Sequence, residues 1–224
     1  MRRHAFTLIE LLVVISIIAI LASLLIPAIA MVREKAQATE CMAHLRQVGM
    51  ASNAYADDWD GFMVLGSNQF GPSKISWWLA LDDYFDTGKA SKGKKSVFNG
   101  CPSYRAHGSK QTKSGGDYHP GYGINLRLGR PEDMWGSSYH AVGWVNARTW
   151  HQSTVTHHSS RVLFGDANDA WLNPGNTIGT WTTGDPERHG SVAQYVFVDG
   201  HSSALKSEAA WLGINDPAKL GGEM

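Results

Sequence analysis

Residues 5–28 read AFTLIELLVVISIIAILASLLIPA, and the architecture turns on what this run is for. From Leu11 to Val32 there are 22 residues and none is charged. At a rise of ~1.5 Å per residue, a helix of that length reaches about 33 Å. The hydrocarbon core of a bilayer is about 30 Å thick. The run is therefore long enough to cross a membrane. Arg2 and Arg3 precede it, Arg33 and Lys35 follow it, and these charges nearly balance. Charge alone therefore leaves its orientation open.

Such a segment is processed in one of two ways. As a secretory signal, it would use Arg2 and Arg3 as the basic start and Ala28-Ile29-Ala30 as the cleavage site. The apolar run exceeds the roughly 7–15 residues usual for such signals, and it continues past Pro27 into a helical pattern. The alternative places the cut between Ala5 and Phe6. A leader of residues 1–5 is then lost and the whole apolar helix is kept.

The stretch resembles the N-termini of type IV prepilins and of the pseudopilins of type II secretion systems. The short basic leader, Phe6, Thr7, Leu8, Ile9, Glu10 and the helix proline Pro27 carry the likeness, over residues 1–35. The resemblance implies cleavage by a membrane prepilin peptidase before Phe6, followed by N-methylation of Phe6. It also implies a single-pass protein of the bacterial inner membrane with its C-terminal domain in the periplasm. Other pilin or pseudopilin subunits and an assembly platform would be its partners. Ala5 departs from the glycine that this family usually has before the cut.

Glu10 gains a purpose in that setting. A charged side chain costs about 2.5–3.5 kcal/mol at the centre of a membrane helix, and less near an end. Cleavage would give Phe6 a free amino group. The Glu10 carboxylate of one subunit is then expected to pair with Phe6 of a neighbour, which sets register in a helix bundle. The competing expectation is an acid that reaches the headgroups from the helix end.

Beyond the membrane run, Cys41, Leu45, Val48, Ser52 and Tyr55 follow spacings of 4, 3, 4 and 3. That pattern is one face of an amphipathic helix. One helix is expected from Phe6 to Ala56, with 6–32 in the membrane and 33–56 amphipathic. Pro27 lacks an N–H and is expected to kink it. The turn residues DDWDG (57–61) end it.

Residues 57–224 read as a β-rich domain. ISWWLALDDYF (75–85) suits a brief helix or a buried strand, and DTGKASKGKKS (86–96) a solvated loop. HAVGWVNA (140–147), RVLFGDA (161–167) and VAQYVFVDGHSSALK (192–206) read as strands. In the last, Val192, Gln194, Val196 and Val198 share a face, and Asp199-Gly200 suits a two-residue hairpin turn. Ser207 is placed to cap a terminal helix over 208–214. The expected fold is α+β and pilin-like: a long N-terminal helix packed on an antiparallel sheet domain with long loops.

In an oxidising periplasm Cys41 and Cys101 are expected to pair, and two separate buried thiols are the competing reading. His189 and Asp199-Gly200, with nine residues between them, resemble the H-X9-DG element of large pseudopilin-like families of planctomycetes and their relatives. ECMAHLRQVGMASNAYADDWDG (40–61), FNGCPSY (98–104) and YGIN (122–125) resemble segments of the same proteins. His189 suits a structural pin near the hairpin, or a metal site with Asp199 or His201. No cofactor is expected. Calcium is the candidate ion, because some pseudopilins carry a calcium loop and because DDWDG and GDANDAWLNPGN (165–176) are oxygen-rich. Neither stretch fits the full EF-hand pattern, and turn chemistry accounts for both.

With 20 basic and 20 acidic residues the chain is neutral, which argues against a nucleic-acid binder. No G-x-S-x-G, H-E-x-x-H or phosphate loop occurs, so no enzyme is expected. Trp77, Trp78, Trp135, Trp144, Trp150, Trp171 and Trp181 fit a glycan- or substrate-binding module, or simply a core. A structural filament subunit is the leading expectation and an anchored binding module the alternative.

Overall fold

The computed structural model describes residues 8–64, 67–68, 75–85, 100–106, 121–125, 128, 151–168, 171–172 and 184–220. Ala5 and Phe6, the 86–96 loop and the expected strand over 140–147 lie outside these.

Helix α1 runs unbroken over Leu8–Asp58 and contains Pro27. Proline offers no N–H to the carbonyl of Ser23, yet the helix continues on both sides of it. Its apolar periodicity converts directly into burial: Cys41, Leu45, Val48 and Ser52 are buried, along with Gly49, Ala51 and Ala56. Tyr55 is half-buried. The helix ends at Asp58, within the DDWDG turn and two residues past the expected Ala56. Asp60 (φ 51°) and Gly61 (φ 84°) turn left-handed. The Gly61 N–H then bonds the Ala56 carbonyl at 2.7 Å, the six-to-one bond of a Schellman cap.

Short elements follow. Strands β1 (Ser67–Asn68) and β2 (Ile75–Ser76) form a small antiparallel pair. The ISWWLALDDYF segment resolves into β2, a single helical turn α2 (Trp77–Ala80) and a 3-10 turn over Asp82–Tyr84. Helix α3 (Pro102–Ala106) comes next, starting on the proline that is tolerated in a first turn.

The main sheet has the strand order β5-β3-β4-β6-β7. Its strands are β3 (Tyr122–Asn125), β4 (Val162–Asp166), β5 (Trp171–Leu172), β6 (Ala193–Phe197) and β7 (Ser202–Leu205). Four of them pair antiparallel; β5 joins β3 in parallel at the edge. Helices α4 (Ser207–Asn215) and α5 (Pro217–Leu220) close the chain's described part. Lys206, not Ser207, occupies the N-cap position of α4.

The sheet is covered on both faces. On one, Val196 and Val198 pack with Cys41, Leu45, Val48 and Ala51 of α1. On the other, Ala193, Tyr195 and Phe197 pack with Ala210, Ile214 and Leu220 of the terminal helices. This is why β4 and β6 are buried at every position. Gly49 sets the helix-to-sheet spacing, since a Cβ there would lie 2.7 Å from Val196 Cγ2.

The hairpin differs from the two-residue turn that Asp199-Gly200 predicts. The Phe197 N–H bonds the His201 carbonyl at 2.9 Å, so three residues, Val198 to Gly200, make the loop. Gly200 N–H bonds the Phe197 carbonyl at 2.9 Å. Gly200 itself is left-handed (φ 90°), as the third residue of such a loop requires. Val198 is drawn inward, its side chain buried in the helix-side core and its N–H bonded to the Arg161 carbonyl at 3.0 Å. Those contacts cost the hairpin one strand residue.

Tyr195 is fully buried, and burial, reinforced by the nearby Asp166, pushes its phenol well above the ordinary value. The folded phenol keeps its proton where the unfolded one loses it. Its contribution to stability is therefore complete below about pH 10 and declines as the pH rises beyond that. Urea midpoints measured from about pH 8 to 11 should fall more steeply at the alkaline end for the wild type than for Tyr195→Phe.

Candidate functional site

Two regions carry chemistry: the projecting half of α1 and a buried corner beside Cys41.

The first buried residue of α1 is Cys41. Residues 8–40 thus run ahead of the domain, about 50 Å of helix at ~1.5 Å per residue. From Leu8 to Ala36 every side chain is exposed except Ala22, which is partly covered. Leu8 is 83% and Leu24 70% exposed. The helix is apolar and long enough to cross a membrane, and none of its most apolar window is buried against the domain. Water cannot stably hold so large a contiguous apolar surface; lipid or other helices can. Glu10 lies in the first turn, where an acid suits the helix dipole. Ser16 and Ser23 donate back to the carbonyls of Val13 and Ile20, each at 2.7 Å, so their hydroxyls are satisfied without water.

The buried corner begins with the disulfide between Cys41 and Cys101, whose Cα atoms are 4.9 Å apart. It joins the start of the amphipathic half of α1 to the residue before α3. It closes a loop with a sequence separation of 60, worth roughly 3–5 kcal/mol in the chain-entropy account. Around it the Tyr122 hydroxyl donates to the Cys41 carbonyl at 3.2 Å. His44 Nδ1 lies 3.0 Å from the Gly100 carbonyl.

His189 belongs to this corner. Its Nε2 is 3.8 Å from Cys101 Sγ and 3.3 Å from Asp166 Oδ2, and its Nδ1 is 3.4 Å from Ser103 Oγ. Its side chain is 2% exposed. The pairing with Asp199 or His201 that the sequence suggests does not form, because both stand at the far end of β6. There Asp199 Oδ1 and His201 Nδ1 are 2.6 Å from each other, and the His201 ring stacks on Phe197 at 4.1 Å. The two ends of the H-X9-DG element thus bracket one strand. His189 anchors the strand's entrance, its N–H bonding the Val192 carbonyl at 3.0 Å, and Gly200 shapes its exit.

Sequence reasoning overlooked the neighbour of His189. Arg188 is buried, and all its donors are engaged. Nε donates to Asp185 Oδ2 at 3.0 Å. Nη1 donates to Asp166 Oδ1 at 3.2 Å and to the Gly121 carbonyl. Nη2 donates to the Ala167 carbonyl at 2.7 Å and to Asn168 Oδ1 at 3.2 Å. The guanidinium also lies 4.9 Å from the Tyr104 ring centre. Asp166, with no exposed side-chain surface, completes its own set by accepting the Gln194 N–H at 2.8 Å. The signal was an acid ending an apolar strand, VLFGD, and an arginine preceding another. Only the pairing of β4 with β6 brings them together.

The oxygen-rich DDWDG serves as the helix cap, and Asp58 Oδ2 accepts the Tyr84 hydroxyl at 3.0 Å. Of the second stretch, residues 165–168 and 171–172 are described, and Asp166 there is committed to Arg188. Trp77, Trp78 and Trp211 are buried. Trp135, Trp144, Trp150 and Trp181 lie outside the described residues, as does the side chain of Trp171.

Removing Arg188 would leave Asp166 charged and buried without its cation, a loss of about 3–5 kcal/mol for a broken buried pair. Arg188→Met should therefore lower the unfolding free energy of the oxidised chain by that order in urea titrations. Arg188→Met combined with Asp166→Asn should recover part of it.

Residues 1–26 match the family model described as the prokaryotic N-terminal methylation motif. No curated protein and no solved structure matches the chain. With that motif heading a membrane-length helix, and the helix packed on a C-terminal antiparallel sheet, the chain has a pilin-like fold behind an N-terminal methylation motif.

Proposed function

We propose that this chain is a structural subunit of a type IV pilus-like or type II secretion pseudopilus filament. The observation that carries this is the helix that serves two environments. Its first 33 described residues, 8–40, run ahead of the domain, and from Leu8 to Val32 they present apolar side chains around the circumference. The first part of this helix lies within the N-terminal methylation motif of residues 1–26. A soluble monomer has no use for such a surface. A membrane stores the subunit, and a bundle of like helices then replaces lipid with protein at little hydrophobic cost, since lipid tails are as apolar as leucine.

In this scheme prepilin peptidase cuts between Ala5 and Phe6, and Phe6 is N-methylated. The subunit waits in the inner membrane with its domain in the periplasm. An assembly platform then extracts it. Glu10 of one subunit meets the Phe6 amine of the next and sets the axial step. In the low dielectric of a helix bundle this attraction is worth far more than in water. Pro27 supplies the bend that lets helices pack around an axis. The role is structural, not catalytic. His189 and Asp199-Gly200 bracketing β6 support a place among the H-X9-DG pseudopilin-like proteins.

A second reading has one observation behind it. Trp59 is 57% exposed and stacks on Tyr55 at 5.6 Å, an aromatic platform suited to a sugar face. A glycan array probed with the detergent-solubilised chain would favour this anchored binding module if signal appears and is lost in Trp59→Ala.

Mass spectrometry of the mature protein should find methylated Phe6 at the N-terminus. A mature chain starting at Met31 would overturn the filament reading and leave a secreted protein. Glu10→Ala should insert normally into membranes but enter sheared filaments at least ~10-fold less than wild type, the effect of about 1.4 kcal/mol. Equal entry would remove the register role.

A further inference from the structure

A disulfide needs no polar companions, yet this one has them. His189 Nε2 approaches Cys101 Sγ to 3.8 Å, and Asp166 Oδ2 lies 3.3 Å from the same nitrogen. The ligand atoms of Cys41, Cys101 and His189 all fall within 4.8 Å of one another, and all three residues are buried. Ligand atoms around a tetrahedral zinc lie roughly 3.5–3.8 Å apart, given Zn–S of ~2.3 Å and Zn–N of ~2.0–2.1 Å. The three side chains are thus within about 1 Å of a metal-binding arrangement once the sulfurs separate.

We propose that, in the dithiol form, Cys41, Cys101 and His189 bind a divalent cation of the zinc class, with the Asp166 carboxylate 3.3 Å from the His189 nitrogen beside them. The same corner of the domain is then closed either by a covalent bond or by a metal.

Three features support the assignment. Two thiolates and an imidazole are the donor set that selects zinc over calcium or magnesium. The histidine is held in the orientation a ligand needs, because Ser103 Oγ engages Nδ1 and leaves Nε2 facing the sulfur. The charges also come close to balance. Two thiolates and the Asp166 carboxylate amount to three negative charges, met by a divalent cation and by the Arg188 guanidinium, which the partly exposed Asp185 shares. Without the cation, opening the disulfide would leave thiol, imidazole and carboxylate crowded in a site with almost no exposed surface.

The chemistry of exchange is ordinary. A dithiol reductant gives an electron pair and two protons to the Sγ–Sγ bond, becomes a disulfide itself, and leaves two thiols. The cation binds as both thiol protons depart to solvent. A newly exported chain whose cysteines are not yet oxidised starts in this state and needs no reductant.

The test uses the full chain in detergent micelles, reduced anaerobically and freed of reductant, with cobalt(II) as a visible stand-in for zinc. One equivalent should bind, with thiolate-to-cobalt charge-transfer and tetrahedral ligand-field bands, and zinc should displace it. His189→Ala should bind at least ~10-fold more weakly. The oxidised wild type should show no charge-transfer band. Zinc should raise the melting temperature of the reduced wild type and leave that of reduced His189→Ala unchanged. No charge-transfer band in the reduced wild type overturns the proposal. So does a band equally strong in His189→Ala, which would mean that two cysteines alone capture the ion. A reduced chain that is unfolded, and that neither ion returns to its folded circular dichroism, overturns it as well.

Discussion

The contact between residues 41–56 of α1 and strands β4 and β6 is the one on which the domain depends. Among the described residues, the apolar stripe of the helix and the inner face of the sheet are each other's main partner. Gly49 lets the two surfaces meet at the closest distance, directly over Val196. On the reverse face Tyr195 and Phe197 do the same work against the terminal helices. Strand β6 is therefore the centre of the molecule, covered on both sides, and the Arg188–His189 pair and the Val198–Gly200 loop fix its two ends.

That arrangement explains why so polar a corner lies inside the domain. A buried arginine is tolerable only when its whole fork of donors is met, and here carboxylates, carbonyls and an amide oxygen meet it. The Asp166 carboxylate in turn ties β4 to the Gln194 N–H on β6 and to Arg188 before it. Packing alone permits strands to slip; a hydrogen-bonded ion pair in one place does not. The corner thus trades some stability for a single strand register.

How far the sequence discloses this depends on the range of each interaction. The long helix, its inward face and its stop at DDWDG come from spacings within a few turns, so they are legible. The terminal helix is too, and so is the β6–β7 pair, because a hairpin is local. Asp199-Gly200 signals a two-residue turn where the loop has three, since Val198 is pulled into the helix-side core and onto Arg161 by contacts that no local pattern records. The two-sided burial of β6 was only half visible: the valines announce one face, but Tyr195 reads as an ordinary strand aromatic. The parallel edge strand β5 has two residues and no periodicity to find. Arg188 was hidden for the same reason as the partner of His189: its acid is 22 residues away in sequence and meets it only through sheet pairing.

The position of the disulfide has a mechanical meaning. Cys41 is the first residue of α1 to enter the domain, and it is bonded to Cys101. Tension applied along the projecting helix therefore enters the domain at a covalent node. From there it can pass straight to residue 101, bypassing residues 42–100. Residues 42–56 of α1 cannot be unravelled from the helix's N-terminal end while that node holds, because the pull never reaches their hydrogen bonds in series. A subunit drawn out of a bilayer, or strained within a fibre, would carry its load through sulfur and keep the core of the domain unloaded.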